Sequence, residues 1–135
     1  MSVEDPPSEG APVVSVVDDD ESVRQSIDAL LRSVGFQVAA FASAEEFLGS
    51  EALGRTACLI LDLRIPGMDG LQLQQRLRLD GHEFSIIILT ANESADDRAQ
   101  AMRAGAMAFL SKPPFDSDVL LATIEAARRR MAPGG

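Results

Sequence analysis

The chain contains no Trp and no Tyr, and aromatic residues make up only 4% of its 135 positions. Without large rings, the core has to be built from Leu, Ile, Val, Ala and six Phe, an aliphatic α/β composition. Cysteine is nearly absent as well: Cys58 stands alone inside an apolar run, which excludes an internal disulfide and fits a reducing compartment. Positive charge is scarce, with 12 Lys and Arg against 21 Asp and Glu and a net charge of −9. That balance disfavours nonspecific binding to nucleic acid or an anionic membrane, so partners are expected to be neutral or basic where they touch. No apolar run approaches membrane-spanning length, and the N-terminus opens on Ser2, Glu4 and Asp5 rather than on a basic region and a long apolar stretch. A cytoplasmic protein is expected. A Gly-rich nucleotide loop is also missing, which argues against a kinase or dehydrogenase.

What is present is a regular alternation. Residues 1–12 are polar, acidic and carry Pro6, Pro7 and Pro12, and read as a disordered leader before a domain over 13–131. Val13 to Val17, Phe36 to Phe41, Cys58 to Asp62, Phe84 to Thr90 and Met107 to Ser111 read as strands. Helices follow each of them. The first carries the stripe Val23, Ile27, Leu30, Leu31 and Val34 and ends at Gly35. The second opens on the capping box Ser43 and Glu46 and loosens at Gly49 and Gly54. Leu71, Leu73 and Leu77 mark the third, Ser94 caps the fourth, and the fifth runs from about Asp116 to Met131 on Val119, Leu120, Ile124 and Ala127. Arg128, Arg129 and Arg130 suit the dipole at its end better than they suit nucleic acid. Residues 132–135 read as a frayed end or linker stub. Five βα units imply one parallel sheet with helices on both faces.

In such a sheet the ligand site lies beyond the C-terminal strand ends, at the point where strand order reverses. Those ends carry Asp18 and Asp19, Asp62, Thr90 and Lys112. Carboxylates gathered in a partly dry site repel one another unless a cation joins them, which implies a hard divalent metal and chemistry on something anionic. Lys112 is the only lysine in the chain, and a compact ammonium at a strand end suits one phosphate oxygen. Asp20 and Asp69 read as helix caps, His82 as a solvated turn residue, and Met102 and Met107 as packing residues.

Five motifs, in order, resemble the receiver domain of two-component response regulators. They are Val17-Asp18-Asp19-Asp20-Glu21, Leu61-Asp62-Leu63-Arg64-Ile65-Pro66-Gly67-Met68-Asp69-Gly70, Leu89-Thr90-Ala91, Arg103-Ala104-Gly105-Ala106 and Ser111-Lys112-Pro113. The segment Val38 to Leu48 further resembles the branch that regulates nitrogen-fixation genes. The resemblance implies a flavodoxin-like (βα)5 doubly wound sheet of strand order 2-1-3-4-5. It implies Asp62 as phosphoryl acceptor and Asp18 and Asp19 as the metal-binding acidic pair, with Mg²⁺ (or Mn²⁺) held directly by Asp19, Asp62 and the backbone carbonyl of Arg64. Thr90 is implied as the switch hydroxyl, Phe109 as the rotating aromatic, and Lys112 as the phosphate-binding lysine ahead of a cis Pro113.

The expected function is a phosphorylation-activated switch, not a conventional enzyme, that takes its phosphoryl group from a histidine kinase or histidine phosphotransfer protein. The surface of the fourth helix, fifth strand and fifth helix is expected to change and to support a homodimer, with no direct nucleic acid contact and no membrane. Two rivals stand beside it: a phosphorylation-independent interaction module, and a metal-dependent phosphatase, against which Arg64 counts because an acid would be needed there. An extra proline, Pro114, departs from the family's pattern, and the resemblance implies that the bulky Arg64 and Asn92 flank the path of an attacking water. The chain is expected to be either a single-domain regulator or the receiver of a longer protein, and the branch resemblance favours the second.

Overall fold

The computed structural model of the chain describes residues 12–91, 94–112 and 116–131. Asn92, Pro113, Pro114, Phe115, the expected tail and all of the expected leader but Pro12 lie outside them. Among the described residues, strands and α-helices alternate as β1 Val13–Val17, α1 Glu21–Ser33, β2 Val38–Phe41, α2 Ala44–Leu48, β3 Thr56–Leu61, α3 Gly70–Leu79, β4 Ser85–Thr90, α4 Ala95–Arg103, β5 Ala108–Ser111 and α5 Ser117–Met131. All strand pairs are parallel, in the order β2-β1-β3-β4-β5. The doubly wound (βα)5 sheet is therefore the fold.

Side-chain alternation along the buried strands divides the core in two. Leu59, Leu61, Ile86 and Ile88 face α2, α3 and α4 and pack with Phe47, Leu73 and Leu77. Cys58, Ile60, Ile87 and Leu89 face α1 and α5 and pack with Ile27, Leu31, Leu120 and Ile124. Strands β1 and β4 are buried along their whole length, as predominantly aliphatic runs without polar alternation demand. The anticipated caps form: Asp20 accepts from the N–H groups of Ser22 and Val23, Ser43 from Glu46, and Asp69 makes a reciprocal capping box with Gln72. Ser94 accepts from the N–H of Asp97.

Some details differ from expectation. β2 begins at Val38 because the N–H of Phe36 is spent on the carbonyl of Leu31, closing α1 through Gly35 at φ 95°. The stretch after α2 is a 3₁₀ turn over Glu51–Arg55 that leads directly into β3, which starts at Thr56. Val119 is 46% exposed and Met102 41%, so neither is a core residue. Each sits one position off its helix's buried stripe, about 100° around the axis from Leu120 and Ala101.

Candidate functional site

The site is an extension of the sheet. In register, Val17 lies beside Leu61, Leu61 beside Ile88, and Thr90 beside Ser111, so the next residues emerge along one rim. The ladder continues for one more step: the N–H of Asp62 donates to the carbonyl of Val17 at 3.0 Å, that of Asp18 to Phe41 at 3.1 Å, and that of Lys112 to Thr90 at 3.0 Å. Because the chain reverses its winding between β1 and β3, the crevice opens between Asp18 and Asp62.

Asp18, Asp62 and Thr90 are buried, whereas Asp19 is exposed. The ammonium of Lys112 donates to Oδ2 of Asp62 at 2.7 Å and lies 3.1 Å from Oδ2 of Asp18. Oδ1 of Asp62 accepts from the N–H of Arg64 at 3.0 Å, and Oδ1 of Asp18 from the N–H of Asp20 at 2.9 Å. Burial pushes the Asp18 carboxyl above its ordinary value, and the charge of Asp62 adds to the rise; the Asp20 N–H and Lys112 oppose it. Burial alone would lower the Lys112 ammonium, yet its bonds to Asp62 and Asp18 outweigh that and hold it above its ordinary value.

Asp19, Asp20, Asp62, Arg64, Thr90, Ala91 and Lys112 line an open cleft of about 390 Å³. Carboxylate oxygens of Asp18, Asp19 and Asp62 lie within 4.8 Å of one another. Three carboxylates against one ammonium leave two negative charges uncompensated, and the donors are all hard oxygens, so the set fits one divalent cation such as Mg²⁺. Of the residues anticipated for the site, Asp19, Asp62, Arg64, Thr90 and Lys112 line the cleft, Asp18 is buried beside it against the Lys112 ammonium, and Phe109 stands apart. Its ring is 7% exposed, packed in the core beneath the guanidinium of Arg98 at 5.6 Å.

Further contacts hold this rim and have no counterpart in the sequence reading. Arg24 donates to the carbonyl of Asp18 at 2.8 Å. Glu45, on α2, accepts from the N–H of Met68 at 3.0 Å, which draws its carboxyl below the ordinary value and pins the turn at Gly67, φ 78°. Gly70 lies against the backbone of Asp62 and Leu63, where a Cβ would come within 2.6 Å of the Asp62 carbonyl. Arg64 pairs with Asp97 on α4. The acid at Asp97 reads locally as first-turn dipole complement, and nothing in the sequence links it to a residue 33 positions earlier.

The pattern of the response regulator receiver domain matches residues 14–125. The chain belongs to that family. This receiver is 45% identical over 118 residues to nodulation protein W of Bradyrhizobium diazoefficiens, covering 87% of the chain and 52% of that protein. It is 38% identical over 120 residues to the transcriptional regulatory protein FixJ of the same organism, covering 89% and 58%. The structure of response regulator StyR superposes with a TM-score of 0.81 at 42% identity, covering 89% of this chain and 60% of that one. The receiver thus spans about half the length of the curated relatives it matches, and the resemblance to nitrogen-fixation regulators holds. The family places it among the signalling switches of two-component systems, which work with kinase partners. Among the described residues, no helix is long and apolar enough to cross a membrane.

Proposed function

We propose that this receiver is switched by a phosphoryl group carried on Asp62. The observation that carries the reading is the ammonium of Lys112 bridging Asp62 and Asp18 in an acidic, oxygen-lined cleft. An oxygen of Asp62 bonds to phosphorus while the bond from phosphorus to the donor, a phosphohistidine of a kinase or phosphotransfer protein or a small acyl phosphate, breaks and its electrons leave with the donor. Lys112 offsets charge on the phosphoryl oxygens as they approach. Asp19, Asp62 and the carbonyl of Arg64 would hold Mg²⁺ (or Mn²⁺), which supplies further positive charge against those oxygens. Asp18 keeps Lys112 in place.

The product carries roughly −1.5 to −2 charges, by analogy with other phosphorylated side chains. Thr90, at the end of β4, then turns its hydroxyl to the phosphoryl group. Space next to it couples to Phe109, whose ring is buried in the arrangement described here. The α4–β5–α5 surface changes with it and supports homodimerisation in a cytoplasmic relay, while output to nucleic acid falls to other parts of a longer regulator. Arg64 flanks the water path and prolongs the phosphorylated state.

Intact mass after incubation with acetyl phosphate tests this, with and without Mg²⁺, on the native protein and Asp62→Asn. The expected result is a metal-dependent gain of one phosphoryl group that the variant lacks. No gain under any condition, with rapid-quench sampling to catch a short-lived state, would turn the assignment to a phosphorylation-independent interaction module.

A further inference from the structure

Two neighbouring residues in the first turn of α4 make different contacts, one at the cleft and one in the core. Asp97 pairs with the Arg64 guanidinium, and Arg98 lies over the Phe109 ring. Arg64 is fixed from below, because its own N–H donates to the Asp62 carboxylate at 3.0 Å, and it is one of the residues that line the cleft. The pair is asymmetric: the Arg64 side chain is 58% exposed, the Asp97 side chain 14%. The acid is thus seated on the helix, while the guanidinium stands at the rim with room to turn.

We propose that Asp97 is a positioning residue that holds the Arg64 guanidinium on the α4 side of the cleft, and that an incoming phosphoryl group competes with Asp97 for it. The inference rests on the reading of Asp62 given above. A phosphoryl group offers more charge than one carboxylate and several acceptor oxygens to the planar guanidinium fork. When it wins, Arg64 turns inward over the phosphoryl group and the tie between the loop after β3 and the first turn of α4 is lost. Arg98, next in sequence, then retains its contact to Phe109 without that brace. The charge at Asp62 is thereby converted into freedom of α4 by an exchange of partners at one guanidinium.

The test is a double-mutant cycle of Asp97→Asn and Arg64→Ala, read as the acetyl phosphate concentration giving half-maximal phosphorylation in Mg²⁺. An exposed ion pair is worth up to about 1 kcal/mol, so freeing Arg64 with Asp97→Asn is expected to lower that concentration by about threefold to fivefold. At about 1 M salt, where screening falls to about 3 Å, the shift is expected to shrink. Asp97→Glu, which keeps the charge, restores the native value. In the Arg64→Ala background, Asp97→Asn is expected to change nothing. The same shift with and without Arg64 would mean that Asp97 acts only through α4, and no shift in the native background would mean the pair does not compete; either overturns the inference. Absence of phosphorylation in the unsubstituted protein is a different failure, because it overturns the reading of Asp62 itself.

Discussion

Replacing Gly70 by Ala is expected to damage the site more than the fold. The added Cβ would lie 2.6 Å from both the carbonyl oxygen of Asp62 and the Cα of Leu63, and 3.0 Å from Cδ2 of Leu63. Comfortable carbon contacts begin at about 3.5 Å, so the two backbones have to part by on the order of 1 Å, and two of the three clashing atoms cannot rotate away. Overpacking of this kind costs about 1–3 kcal/mol. Ala is the better helix former by up to about 1 kcal/mol, but Gly70 is the first residue of α3, where little of that is recovered. A net loss of about 1–2 kcal/mol lowers Tm by about 3–10 °C in a domain of this size. The catalytic effect is larger, because a displacement of about 1 Å at a reacting group can cost about 100-fold in rate. Gly54→Ala is the control: nothing lies within 4 Å of its Cβ, and it is expected to be neutral or to stabilise by about 0.4–1 kcal/mol. Thermal melts and the time course of mass gain with acetyl phosphate read both effects. If Gly70→Ala matches Gly54→Ala in Tm and rate, the contact with Asp62 does not position the carboxylate.

Alkali is expected to destabilise the fold. The Cys58 thiol is pushed up to about 12 by burial from an ordinary 9.0, and Lys112 is also raised, so both keep their protons longer when folded and the unfolded chain releases them first. Stability therefore falls as pH rises past 9.0, for Cys58 by up to about 1.4 kcal/mol per pH unit, and the Lys112 contribution is lost through its raised value. Urea unfolding below and above pH 9.0 checks this against Cys58→Ala, and a slope unchanged by that substitution would reject the thiol's part. Lys112→Met leaves two buried carboxylates facing each other and is expected to cost about 3–5 kcal/mol without divalent cation, measured by urea unfolding; an unchanged unfolding free energy would refute the electrostatic account. Mg²⁺ at about 100 times its Kd is expected to add about 2.7 kcal/mol to the native protein, and much less to Asp19→Asn, in calorimetric melts.

The parts of this molecule that are legible in sequence are those where one local rule decides the outcome. Apolar runs ending in Asp18 and Asp62 announce both the buried strands and their rim, and Asp20, Ser43, Asp69 and Ser94 announce the helix starts through their own side chains. Where two rules compete, the reading slips: Phe36 is a good strand residue, but its N–H is claimed by the end of α1. Gly49 and Gly54 read as breakers, yet the chain between β2 and β3 stays wound as a 3₁₀ turn whose Ala52 carbonyl accepts from the Thr56 hydroxyl at 2.7 Å. Val119 is apolar but lies off the stripe that Leu120, Ile124 and Ala127 define. Contacts that cross the fold, Arg64 to Asp97, Glu45 to Met68 and Gly70 to Asp62, have no periodic signature at all.

The one-residue continuation of the ladder past β1, β3 and β5 bears on how such a site can be moved or lost. Asp18, Asp62 and Lys112 each take their place from a backbone hydrogen bond to a neighbouring strand. Their relative positions are thus encoded in strand pairing, so exchanging whole helices leaves them in place, whereas deleting a single residue within β3 turns Asp62 toward the opposite face. The same logic makes the trio portable: another parallel sheet with this pairing order could receive the charged rim by grafting three strand ends, with no loop redesigned between them.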